Sequence, residues 1–275
     1  MEQVVPLPLP ARDSAPQHAA PQRAPSLSRG VARVLTAAAI GLLALGLGLP
    51  GAGPAAEAKE PKAIYEHGCR VQKPQRILER RSFVTKRLMD PKKQIRAARY
   101  LAERYGHAGD DLTRSWNAQS AYAQAKTVKF MGLSLSIHAK VAPALACVEK
   151  RIRKSCRGAS SYTPRAVGGF RGANTYRGAE ISNHLFGIAI DIDPDRNPCC
   201  GCVDPWSSHP LCKLKVSSPY ERAALPKCWV RAFERFGFDW LGHDDLEDTM
   251  HFEFLGDPDR ITRKPPPKPK PRARP

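Results

Sequence analysis

Two short segments of this 275-residue chain carry the groups best suited to chemistry. In Ser182-Asn183-His184-Leu185-Phe186-Gly187-Ile188-Ala189-Ile190-Asp191-Ile192-Asp193, an imidazole and a carboxylate stand seven residues apart and lead into an alternating strand pattern. In Asp248-Thr249-Met250-His251-Phe252-Glu253-Phe254 a second imidazole follows three residues after a carboxylate. Two His and one Asp suffice to hold a catalytic zinc that keeps one coordination position open. A further carboxylate can take a proton from a water molecule beside the ion. The chemistry expected is metal-assisted hydrolysis. A lone His would read more simply as a satisfied polar residue near a core, but His184, Asp191 and His251 form a set.

The elements that must position these groups are short. Ile188, Ile190 and Ile192 alternate with Ala189, Asp191 and Asp193, so a strand over 187–193 packs its Ile face inward and turns Asp191 to the site. A second strand over 250–255 turns Met250, Phe252 and Phe254 to the core and leaves His251 and Glu253 on the other face, where Glu253 can accept a hydrogen bond from a ligand imidazole. A third strand is expected over 238–241, after a helix at 226–236 that stops at Gly237. Upstream, helices are expected over 91–105, capped by Asp90-Pro91, over 112–130 and over 136–155. Between them and the first strand, 160–183 reads as loop with a short strand near 166–170. Ser182 ends that loop or supports the site through its hydroxyl. Asp193 and Asp195 read as turn residues, with calcium binding the rarer alternative. His138, His209 and His243 read as non-catalytic. On chemistry alone Asp244, Asp245 and Glu247 compete with Asp248 as a base. No internal repeat is visible.

The flanks bear on location. Arg29 and Arg33 precede an apolar run over 34–49 that ends in Ala56-Glu57-Ala58, the order of a secretory signal peptide. The run is short for a membrane span, which needs about 20 residues; an uncleaved membrane anchor is the alternative to export. All eight Cys lie downstream of this signal, so disulfides are expected to staple the loop 194–218. The rival is a second zinc site from Cys199, Cys200, Cys202, His209 and Cys212, whose crowding does not match paired Cys-x-x-Cys spacing. The net charge of +18 is carried partly by a tail with seven Lys/Arg from Arg260 to Pro275, interleaved with Pro. Such a tail stays extended. In an exported chain it suits anionic cell-envelope polymers, or it simply solubilises; a nucleic-acid partner is not expected.

The pattern Ser-x-His-x-x-Gly-x-Ala-x-Asp followed by Asp-x-Met-His-Phe-Glu resembles the zinc peptidases that comprise D-alanyl-D-alanine carboxypeptidases and L-alanyl-D-glutamate endopeptidases. The resemblance covers about residues 130–255 and is strongest at 181–194 and 236–254. It implies that His184, Asp191 and His251 bind Zn2+, and that Asp248 is the general base where many relatives carry Glu. It also implies a substrate-binding Arg upstream of the first motif, with Arg171 and Arg177 nearest the family position and Arg165 a third candidate. Peptidoglycan stem peptides are the implied substrate. The expected architecture is α+β: a small antiparallel zinc-bearing sheet flanked by helices, with a helical N-terminal extension and a disulfide-stapled loop. The expected divisions are a signal and leader (1–58), a basic, mainly helical extension (59–130), a catalytic domain (131–257) and a disordered Pro/Lys/Arg tail (258–275). Two rival functions are a non-catalytic, zinc-containing wall-binding protein and a secreted zinc protease acting on proteins.

Overall fold

The structure is a computed structural model and describes residues 63–156, 162–174, 180–202 and 206–262. The signal and leader, Arg177 and residues 263–275 of the basic tail lie outside these residues. The expected disordered tail is corrected at its start, where Pro258–Arg260 forms a 3-10 turn, Ile261 is buried and Thr262 bridges to Cys69. Among the described residues no helix is long and apolar enough to cross a membrane.

Two small hairpins open the fold: β1 (Tyr65–Glu66) with β2 (Cys69–Arg70), and β3 (Val84–Thr85) with β4 (Leu88–Met89). Helix α1 (Pro91–Tyr105) begins as expected, because the Asp90 carboxylate accepts hydrogen bonds from Lys92 N and Lys93 N at 3.1 and 3.2 Å. These partners satisfy amide groups that the first helical turn leaves open. Ala97, Ala98, Leu101 and Ala102 form its buried face.

The helix expected over 112–130 does not form. A four-residue helix α2 (Asp111–Arg114) is followed by a hairpin of β5 (Ala125–Phe130) and β6 (Leu133–His138). Met131 and Gly132 both have positive φ, at 51° and 93°, the requirement of a tight two-residue hairpin turn. Turn geometry and the β-branched Thr127 and Val128 therefore override the helical composition of the Ala/Gln-rich stretch before them. For the same reason the helix expected from 136 starts only at α3 (Ala142–Ser155), with Pro143 in its first turn, where no amide partner is lost. Of the described residues 63–130, only α1 and α2 are α-helical, so the mainly helical reading of this region is also corrected.

The central sheet holds β7 (Val167–Gly168), β8 (Ala189–Ile192), β9 (Phe238–Trp240) and β10 (His251–Phe254), in the order β7-β8-β10-β9 and antiparallel throughout. Helix α4 (Lys227–Arg235) packs on its apolar face. Phe233 stacks on Phe252 at 4.1 Å and meets Phe238 edge-on at 5.1 Å, and Phe130 reaches Phe233 from the hairpin. Each of these fully buried rings contributes about 1.5–3 kcal/mol through burial. The architecture is thus mixed helix and small antiparallel sheet.

All eight Cys are paired: Cys69–Cys147, Cys156–Cys228, Cys199–Cys202 and Cys200–Cys212. The first two join β2 to α3 and the end of α3 to α4. The other two lie in the loop after β8 and leave no thiolate for the rival cysteine zinc site.

Candidate metal centre

Strand register brings the first three groups together. In the β8–β10 pairing His251 lies directly opposite Asp191, and Gly168 of β7 flanks Asp191 on its other side. Opposed residues on one sheet face put their side chains in contact. His184 arrives from the 3-10 turn Asn183–Phe186, whose entry is capped by Ser182 Oγ accepting from His184 N. The turn ends at Gly187, with φ 66°, where a Cβ would lie 2.1 Å from the Phe170 ring. Only glycine fits that backbone and that approach.

The donor atoms converge. His184 Nε2 is 3.1 Å from His251 Nδ1 and 3.2 Å from Asp191 Oδ1, and His251 Nδ1 is 2.8 Å from Asp191 Oδ1. All three residues are buried. The opposite nitrogen of each ring has its own acceptor: His184 Nδ1 donates to the Gly169 carbonyl at 2.5 Å, and His251 Nε2 to Glu253 Oε1 at 3.0 Å. With the ring protons engaged outward, both imidazoles turn a lone pair toward the Asp191 carboxylate. Three acceptors around one point call for a cation. Their separations of 2.8–3.2 Å are shorter than the roughly 3.4 Å between ligand atoms on a tetrahedral ion at about 2.1 Å, so the donors would spread slightly around an ion; two His with one Asp suit zinc.

The local field agrees. Burial would raise the Asp191 carboxyl, but the charges and hydrogen bonds of His184 and His251 hold it below the usual range. Burial depresses His184, with Asp191 offsetting part of that effect. For His251 burial is outweighed by hydrogen bonds to Asp191 and Glu253, so positive charge on the ring is favoured well above the ordinary range. A metal ion bound here would have to displace that proton, because a ligating imidazole is neutral.

Asp248 lies just before β10 and is buried, and its Oδ1 has no hydrogen-bond partner among the described residues. Burial pushes its carboxyl up to about 7, against the pull of positive charge on His251 and with the push of Asp191. That value suits a group that must take and return a proton near neutrality. The competing acids are engaged elsewhere or exposed: Asp244 pairs with Arg80, Glu247 with Arg222, and Asp245 faces solvent. Cys199 and Cys202 lie beside Asp248, but their sulfurs are joined in a disulfide.

Arg171 is half-buried and forms an ion pair with Asp191. The Arg165 side chain is exposed, and its main-chain N donates to Asp193 Oδ1 at 2.6 Å. Asp193 also accepts from Tyr162 Oη, Ala166 N and Arg196, so it clamps the 162–166 loop to the end of β8. These partners occupy the Asp193 carboxylate, in keeping with its reading as a turn residue. His138 is buried and bonded to main chain, His209 caps a 3-10 turn, and His243 packs on Tyr220 and Trp240. None of the three reaches the cluster.

Sequence reasoning missed the Gly169 carbonyl. A Cβ on Gly169 would lie 1.9 Å from the Ser136 carbonyl, so only glycine lets this segment lie against β6 and aim its carbonyl at His184. The doublet Gly168-Gly169 was the available signal. No curated protein and no solved structure matches this chain. Residues 175–254, which hold His184, Asp191, Asp248, His251 and Glu253, match the family model described as D-alanyl-D-alanine carboxypeptidase.

Proposed function

We propose that the protein is an exported, zinc-dependent peptidase that hydrolyses peptidoglycan stem peptides. The observation that carries this reading is the convergence of three acceptors, His184 Nε2, His251 Nδ1 and Asp191 Oδ1, with the ring protons engaged outward. Those three side chains hold the zinc. When bound, zinc supplies positive charge that polarises a peptide carbonyl and makes a neighbouring water more acidic. Asp248 takes a proton from the attacking water and returns it to the leaving amine. Burial favours its protonated form, and its Oδ1, without a partner among the described residues, is free to receive the proton. Arg171, the cation next to Asp191, turns to the substrate carboxylate or to the developing oxyanion. Arg177 is a second candidate for that role. The signal-like order of the leader supports export, and the Pro/Lys/Arg tail suits anionic envelope polymers.

Mass spectrometry of defined muropeptides after incubation with zinc-loaded protein tests this, with Asp248→Ala as control. Loss of a terminal D-alanine identifies a carboxypeptidase and a cut inside the stem an endopeptidase; either product disappears in the control. No cleavage by folded, zinc-bearing protein would sink the proposal and favour the wall-binding or protein-substrate alternatives.

A further inference from the structure

Arg80 lies outside the family-matched stretch and about one hundred positions before it in the chain, yet it is buried against that stretch. Its Nε and Nη2 donate to the two carboxylate oxygens of Glu180 at 2.7 and 3.2 Å, and its Nη1 donates to Asp244 Oδ1 at 2.5 Å. One guanidinium thus spans carboxylates from two separate segments of the matched region, a fork geometry that Lys cannot reproduce. Arg80, Glu180, Asn183 and Glu253 also line one small cavity, closed by Leu78 and by the buried face of α1. Its volume of about 20 Å³ is room for a single water, and the buried Asn183 Oδ1, without a partner among the described residues, is one of its polar groups.

Glu253 is the carboxylate that fixes the His251 ring. The Glu180 carboxylate is near enough for their charges to repel. Two carboxylates sharing a buried space, with Asp244 close by, are unstable as a group without a cation. Arg80 supplies it. With Glu180 and Asp244 held on the guanidinium, Glu253 remains directed at His251 Nε2.

We propose that Arg80 is a positioning residue of the metal centre: through Glu180 and Asp244 it keeps Glu253 on the His251 ring and so sets zinc affinity. This rests on the reading of His251 as a zinc ligand. The segment ahead of α1 is then a working part of the site, although the family match does not include it.

The test is zinc affinity, measured by competition with a chromophoric chelator on the full chain. Wild-type protein is measured first. If it binds no zinc, the metal-centre reading falls and this inference with it. If it binds, Arg80→Met is expected to weaken affinity about tenfold, the lower end of the range for groups that support metal ligands. The charge-balanced double variant Arg80→Met/Glu180→Gln is expected to recover most of the loss. Wild-type affinity in Arg80→Met, or a loss that Glu180→Gln does not recover, overturns the inference while leaving the metal-centre reading intact. Should Arg80→Met not fold, Arg80→Lys carries the test, because it keeps the charge and loses the fork. Weaker binding by folded Arg80→Lys supports the inference, and unchanged binding overturns it.

Discussion

The sheet that bears Asp191 and His251 and the cysteine-laced loop after β8 flank one candidate site but are held by different forces. The sheet is held by packing, with Phe233, Phe238, Phe252 and Phe254 fully buried on its apolar face. The loop has no strand among its described residues, only 3-10 turns at Trp206–Ser208, Pro210–Lys213 and Pro219–Arg222. Cross-links and main-chain bonds hold it instead. Its start is bridged to the Asp248 segment: Cys199 pairs with Asp248, Gly201 N donates to Leu246 O at 2.6 Å, and Thr249 N and Oγ1 both donate to Pro198 O. Donor geometry thus depends on the hydrophobic core, whereas the carboxylate assigned as base depends on a covalent brace. The two can be disturbed separately.

The largest effect that sharpens this division is expected from Asp248→Asn. Its kcat should fall by about 10²–10⁴ while zinc content stays at the wild-type level, read from muropeptide kinetics and metal analysis of the same sample. Simultaneous loss of the metal would break the division. Next in size is an acid effect on the packed side. His138 N donates to Gly187 O, tying the β5–β6 hairpin to the turn that presents His184, and burial lowers the His138 ring from 6.5 to about 4. An unfolded chain takes up that proton first, so the stability is intact above pH 6.5 and is lost as pH falls toward 4. The loss amounts to about 3 kcal/mol at most. Thermal unfolding of His138→Gln across this window should show a shallower pH dependence than wild type; equal slopes would remove His138 from the account.

Glu253→Gln tests the sheet directly, with zinc affinity expected to drop about 10–100-fold by chelator competition. The smallest effect belongs to the brace. Cys200→Ser/Cys212→Ser should reduce kcat by about tenfold through misplacement of Asp248, with zinc affinity unchanged. A change in zinc affinity there would show that the loop also sets the donors. Chain-entropy reasoning supports a local role. The loop bonds close only 3 and 12 residues, against 78 and 72 for the pairs anchored on α3. The expected contributions are about 1.5 and 3 kcal/mol, against about 4.5 kcal/mol for each long closure.

How much was legible follows from the kind of signal. Which side chains meet on β8 and β10 could be read from strand alternation, because period-two patterning assigns a face to each residue. The start of α1 could be read because Asp90-Pro91 satisfies a helix terminus by a short-range rule. The β5–β6 hairpin could not be read from the Ala/Gln-rich composition before it; the signal was Gly132 between two alternating runs. Cysteine pairing needed coordinates, since 78 residues separate Cys69 from Cys147. Arg80 gave no signal at all, being one of 44 Lys and Arg in the chain. The Gly169 carbonyl was hidden because every residue has a main-chain carbonyl and sequence does not say which one is aimed.

The positions of the cross-links have a consequence for modularity. The stretch that matches the family, 175–254, contains Cys228 but not Cys156, and it contains His184 but not the carbonyl that engages the His184 ring. Cut out as a cassette, it would carry an orphan thiol and an imidazole free to adopt either tautomer. The unit of sequence similarity is therefore smaller than the unit of inheritance: a recombination event or a truncated expression clone that respected only the similarity would transfer the motif without the chemistry.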